Sequence, residues 1–242
     1  MSPMSRYHVD IFPVGMLQCN CSLLMDSQSK TCVVVDPGDE AKLIIEKLEN
    51  YGVGVSFIWH THAHIDHIGG TKKLFEAFAE RNKQFSMPAP KVYLHPEDSW
   101  LYENASMQAQ MLGIPDISTT PVTDKIKQGQ KYEGFEGLEA LHTPGHTPGS
   151  CCLRVEHSSD IFAPKSYSVG QWENIPELLF SGDTLFRRSI GRTDLWGGNY
   201  DTIEKSIKSK IYTLNPDVVV VPGHGPLTVI EQEQHKNPFV SL

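Results

Sequence analysis

The 242 residues contain no run of about 18 apolar side chains, the length that crosses a bilayer, so a membrane-spanning helix is excluded. Basic residues are scarce: 21 Lys and Arg stand against 29 Asp and Glu, a formal charge of −8. Nucleic-acid binders carry a basic face, and that class is set aside on charge. Residues Met1 to Asp10 hold one Arg, one His and one Asp, with neither the apolar core of a secretion signal nor an Arg/Ser-rich amphipathic pattern. A cytoplasmic protein is the expectation. There are only five cysteines, Cys19, Cys21, Cys32, Cys151 and Cys152, an odd number with no C-x-x-C pair. That excludes a disulfide framework, a zinc knuckle and a dithiol redox motif, and leaves free buried thiols in a reducing compartment. There is no internal repeat and no Pro/Gly block of linker type, so one domain over residues 1–242 is expected.

What is present reads as alternating elements. Alternation over 7–14, the run 20–26 and the β-branched run 30–36, closed by Pro37-Gly38, predict strands. So do the apolar runs 53–60, 91–95, 151–156, 178–181 and 217–221, and residues 129–142 read as paired short strands around glycines. Helical spacing joins Leu43, Ile44 and Leu48 before Gly52, then Leu74, Phe75 and Phe78 within 70–83, and finally Ile203, Ile207 and Ile211. Residues 99–112 read as a further helix. Asp39 and Asp201 are the expected caps, with Glu204 completing a capping-box spacing after Asp201. Residues 157–177 lack periodicity and carry Ser, Pro and Gly, which predicts a surface insertion. Two similar halves of strands and helices point to an α/β protein with helices flanking two packed sheets.

Eleven histidines are present, and their clustering is what carries chemistry. His62, His64, Asp66 and His67 form H-x-H-x-D-H directly after a predicted buried strand. Imidazole and carboxylate are both metal ligands. Spacing of two residues puts His62 and His64 on one side of an extended strand end. Packing gives no reason to crowd three imidazoles and a carboxylate so closely. Three later turns repeat the design, setting His146 in T-P-G-H-T-P-G (143–149), Asp183 in G-D-T-L-F (182–186) and His224 in P-G-H-G-P (222–226). His60 reads as a loop support, His95, His142 and His157 as surface or turn residues, and Asp10 and Asp36 as turn caps. Arg187 and Arg188 read as solvent-facing.

These motifs, with I-G-R-T-D (190–194), resemble the metallo-β-lactamase fold superfamily, and within it the glyoxalase II-like hydroxyacylglutathione hydrolases, in the shorter form without a C-terminal helical domain. The resemblance implies a four-layer αββα sandwich and two divalent metal ions, with Zn expected ahead of Fe or Mn. His62, His64 and His146 would hold one ion, Asp66, His67 and His224 the other, and Asp183 would bridge them. Two aspartates against two dications leave a net +2, which acidifies a bridging water and attracts an anion. The implied activity is hydrolysis of a glutathione thioester such as S-lactoylglutathione by a metal-bridging hydroxide, with Asp66 and Asp183 in catalytic positions. Arg192 would bind a substrate carboxylate. The alternative is a single-iron persulfide dioxygenase of the same fold.

Overall fold

The computed structural model describes residues 6–114, 117–156, 160–162, 175 and 177–242. The strands are β1 (Tyr7–Val14), β2 (Cys19–Asp26), β3 (Thr31–Val35), β4 (Gly54–Trp59), β5 (Lys91–Leu94), β6 (Asp124–Lys125), β7 (Lys131–Tyr132) and β8 (Phe135–His142). They continue as β9 (Cys151–Glu156), β10 (Asp160–Phe162), β11 (Glu177–Gly182), β12 (Leu185–Phe186), β13 (Ser189–Ile190), β14 (Val219–Pro222) and β15 (Thr228–Val229). The helices are α1 (Ala41–Tyr51), α2 (Ile65–Ile68), α3 (Thr71–Arg81), α4 (Ser99–Glu103), α5 (Ala105–Met111), α6 (Tyr200–Ser206) and α7 (Ile230–Lys236). One sheet runs in the order β10-β1-β2-β3-β4-β5-β6 and the other in the order β15-β14-β11-β9-β8-β7, while β12 and β13 pair apart.

The period of two in each strand sorts side chains between layers. Val9, Ile11, Val33, Val35, Phe57 and Trp59 of the first sheet face Leu138, Ala140, Leu153, Leu178, Phe180 and Val221 of the second in one dry core. The alternate residues Val34, Val55 and Ile58 meet Ile44, Leu48, Leu74 and Phe78 of α1 and α3. On the far side Cys152, Leu179 and Val220 meet Ile203, Ile207, Ile211 and Ile230. This is the metallo-β-lactamase sandwich of helices, two sheets and helices. Each fully buried aliphatic or aromatic side chain contributes roughly 1.5–3 kcal/mol, so its double-sided core needs no metal to hold it.

The boundaries differ from expectation where side-chain chemistry overrides pattern. Residues 99–112 break at Asn104 into α4 and α5. The cap of α6 is Asn199, whose side chain accepts from Thr202 N at 2.9 Å; Asp201 lies in the first turn instead. Asp39 accepts from Glu40 N and caps no helix, since Glu40 takes the cap position in a left-handed conformation. Most of 157–177 lies outside the described residues, as do His157 and Trp172. Within that span, Asp160–Phe162 pairs in parallel with β1, Ile175 is buried, and Glu177 opens β11.

Candidate metal centre

Every sequence-predicted metal residue stands in the segment that directly follows a strand. The loop after β4 carries His62 and His64 and leads into α2, which carries Asp66 and His67; the turn after β8 carries His146, that after β11 Asp183, and that after β14 His224. The sheets pack so that these four turns meet at one edge of the sandwich.

Two groups result, and one carboxylate lies between them. His62 Nε2, His64 Nδ1 and His146 Nε2 lie 2.9–3.2 Å from one another. His224 Nε2 is 3.1 Å from Asp66 Oδ2 and 3.3 Å from His67 Nε2. Asp183 reaches both groups: Oδ2 is 3.6 Å from His146 Nε2, and Oδ1 is 3.5 Å from His67 Nε2 and 3.8 Å from His224 Nε2. Asp183 Oδ1 is buried and accepts no hydrogen bond. A buried carboxylate oxygen without a donor costs several kcal/mol unless a charge meets it.

Outer partners set which ring nitrogen faces inward. His146 Nδ1 donates to the Arg192 carbonyl at 2.8 Å and His224 Nδ1 to the Leu17 carbonyl at 3.0 Å. Those carbonyls only accept, so in the neutral rings the inward Nε2 keeps its lone pair. Asp36 Oδ2 lies 2.9 Å from His67 Nδ1 and also takes the Thr61 hydroxyl at 2.7 Å. Thr61 Oγ1 in turn lies 3.0 Å from His62 Nδ1. One buried carboxylate therefore orients an imidazole in each group. Asp36 sits at φ 49°, a left-handed backbone that Asp adopts more readily than most residues. Its expected role as a turn cap is corrected.

Three other anchors carry no sequence signal of their own. Asp98 accepts from Ala63 N, Gly149 N and the Thr147 hydroxyl, tying the His62–His64 loop to the His146 turn. Gln108 accepts from Ile65 N and donates to the Ala63 carbonyl. Asn20 donates to the Pro222 and Gly225 carbonyls and so holds the His224 turn. These are buried polar groups whose partners are distant in sequence, visible only after folding. At Gly223, a Cβ would stand 2.1 Å from Asp183 Oδ1 and 2.7 Å from His67 Cε1, so only glycine lets the turn approach.

Electrostatics follow from this crowding. Burial, then the imidazoles of His67 and His146, hold His62 well below its usual range. His64 is lowered to about 3 by burial and then by His146. Burial opposes charge on His67, but the Cys19 sulfur and then Asp66, Asp183 and Asp36 outweigh it and raise its pKa. Asp66 is lowered despite burial, because His67 and His224 favour its anion. Burial thus keeps His62 and His64 as neutral lone-pair donors, while His67 and Asp66 gather charge. Convergent imidazole nitrogens, a donorless carboxylate oxygen and anchored outer nitrogens fit divalent cations.

The remaining predictions sort differently. His60 is buried, with Nε2 3.2 Å from Thr71 Oγ1, and supports the loop as expected. Asp10 lies within β1 and pairs with Lys47 at 2.8 Å instead of capping a turn. Arg188 is half-buried and bonds Glu233, not solvent. Of the surface and turn readings for His95 the turn holds: it follows β5, is buried and stacks on His142 at 3.9 Å. Arg192 lies at the rim of a cavity of about 460 Å³ that also touches His64, Asp66, Asp183, Trp196 and His224. Its Nε and Nη2 bind Asp194 at 2.7 and 2.8 Å.

The sequence profile of the metallo-beta-lactamase superfamily matches residues 14–163 and 159–224. The chain belongs to the metallo-beta-lactamase superfamily. Hydroxyacylglutathione hydrolase GloC of Haemophilus influenzae is 33% identical over 238 residues, 97% of this chain and 98% of that protein. The probable metallo-hydrolase YqgX of Bacillus subtilis is 35% identical over 95% of both chains. The crystal structure of the B3 metallo-beta-lactamase BLEG-1 superposes with a TM-score of 0.77 at 33% identity, covering 97% of this chain and 100% of its own. The protein TTHA1623, solved in a di-iron-bound form, gives 0.75 at 32%, covering 95% and 99%. As a superfamily member this chain is a metallo-hydrolase with a metal-binding centre. Among the described residues no helix is long and apolar enough to cross a membrane.

Proposed function

We propose that this chain hydrolyses thioesters, and S-acyl glutathione in particular, with two divalent ions. The observation that carries the reading is Asp183, whose two oxygens face the two groups separately while Oδ1 lacks any donor. His62, His64 and His146 would hold one ion, and Asp66, His67 and His224 the other. When bound, such a pair acidifies a shared water and polarises the carbonyl it meets. The chain's own residues do the rest. Asp36 fixes His62 and His67, and the Arg192 and Leu17 carbonyls fix His146 and His224, so the donor atoms are placed before substrate arrives. Asp66, ionised throughout the neutral range, sits at the cavity floor where it orients the attacking water. Among the described residues no lysine or glutamate lines the cavity to protonate a leaving group. A thiolate leaves without one, whereas an amine does not, and this favours thioesters over amides.

Arg192 at the rim offers a guanidinium to a substrate carboxylate, with Nη1 free of protein partners and Asp194 holding the other face. The overall likeness to a hydroxyacylglutathione hydrolase supports glutathione as the thiol. Turnover of S-lactoylglutathione by metal-loaded protein tests the reading. Hydrolysis with two ions per chain is the expected result. Oxygen consumption with glutathione persulfide and no hydrolysis would transfer the assignment to the single-iron alternative.

A further inference from the structure

A second cavity, of about 290 Å³, abuts the one beside Arg192 and shares Leu17, Ile65 and Asp66 with it. It lies between the β1–β2 turn, the turn after β3, α2 and the segment beyond α5. Its walls are Val14, Met16, Leu17, Ile65, Ile114 and Ile117. Among the described residues that line it, the charged ones are Asp39 and Asp66, both acidic. Among the described residues no cation lines it, so it repels a carboxylate, while the guanidinium of Arg192 stands on the other cavity. Charge therefore assigns the two cavities to different halves of one substrate.

We infer that this second cavity takes an uncharged, apolar acyl chain, longer than lactoyl, whose thioester carbonyl lies near Asp66 while the anionic thiol portion runs toward Arg192. The inference rests on the thioester reading above. Three features support an apolar occupant beyond the lining itself. Met16 and Leu17 are 73% and 44% exposed on the β1–β2 turn. A flexible methionine adapts to chains of differing shape. Gly15, at φ 69°, and Gln18, at φ 55°, shape this turn, and Gln18 Nε2 and the Gln18 amide both bond the Gly15 carbonyl, so the apolar pair is displayed on a closed loop.

The test is a series of glutathione thioesters from acetyl through butanoyl and hexanoyl to octanoyl, with the matching non-hydrolysable S-alkyl glutathiones as binding probes. The expected result is a kcat/KM rising about two- to fourfold per methylene from acetyl to hexanoyl, with a parallel fall in the dissociation constant of the S-alkyl compounds. Ile114→Asp and Met16→Asp should each collapse the hexanoyl-to-acetyl ratio toward one, at unchanged metal content. Met16 is exposed, so that variant folds even if Ile114→Asp does not. Ile114→Lys should instead raise turnover of a glutaryl thioester. Hydrolysis with no dependence on chain length overturns this inference and leaves the thioester reading intact. Tighter binding of longer S-alkyl glutathiones with no hydrolysis of any thioester overturns the thioester reading and leaves the apolar cavity standing.

Discussion

Two clusters of imidazole and carboxylate stand at strand ends in this molecule, and only one is built like a cation site. In the first, around Asp183, inward nitrogens converge within 3.3 Å while the outer nitrogens of His62, His67, His146 and His224 meet a carboxylate, a hydroxyl or a carbonyl. In the second, His95, Glu97 and His142 also bring ligand atoms within 4.8 Å of one another. There the rings lie face to face at 3.9 Å and 13°. Lone pairs lie in the ring plane, so parallel rings cannot both point at one ion. His142 Nε2 is moreover 2.9 Å from the Pro148 carbonyl, which fixes a hydrogen on it. Residue type is common to both clusters. The anchoring of outer atoms is what separates them.

The largest expected effect removes the residue that joins the two groups. Asp183→Ala should lower thioester hydrolysis by at least about a thousandfold, as loss of a centre's electrostatic core does, and should reduce bound metal toward one ion per chain by elemental analysis. Full metal content in an inactive variant would mean that Asp183 does chemistry without holding metal. Next comes an anchor that touches no metal. Asp36→Asn should weaken metal affinity by about 10- to 100-fold in a chelator competition, since it frees His62 and His67 together. Wild-type affinity there would show that the loop is positioned by packing alone.

Arg192→Ala should raise KM for a glutathione thioester more than it lowers kcat, by several-fold, given that Arg192 is exposed and shares its charge with Asp194. No change would remove Arg192 from substrate binding. The smallest effect belongs to the stacked pair. His95→Gln should leave metal content at the wild-type value. Burial, then His142 and Lys210, hold His95 down to about 4 from its usual 6.5. Between those values the unfolded chain binds a proton that the folded chain refuses, so wild-type stability falls as pH drops from 6.5 toward 4. The variant should show a shallower loss in urea unfolding over that window, and an unchanged slope would detach His95 from acid sensitivity.

The ligand set was legible in the sequence because it is local. H-x-H-x-D-H falls within six residues, and the three later turns each set one candidate ligand directly after a glycine. The sandwich was legible because strands such as β4 are apolar on both faces while the helices are apolar on one. What stayed hidden depends on contacts between distant segments. Asp98, Gln108 and Asn20 look like ordinary polar residues until folding places their partners beside them. Asp36 was read as a cap because it precedes Pro37-Gly38, a turn signal that is real but secondary to its hold on Thr61 and His67. The cap of α6 was misplaced by two residues for a similar reason: Asp201 matches a pattern, yet Asn199 has the extended backbone a cap requires.

The most direct measurement is anomalous scattering from crystals grown with excess zinc. Two peaks are expected, one among His62, His64 and His146 and one among Asp66, His67 and His224, with the two carboxylate oxygens of Asp183 reaching between them. A single peak, with Asp183 or His224 turned away from the second position, would contradict the two-ion centre.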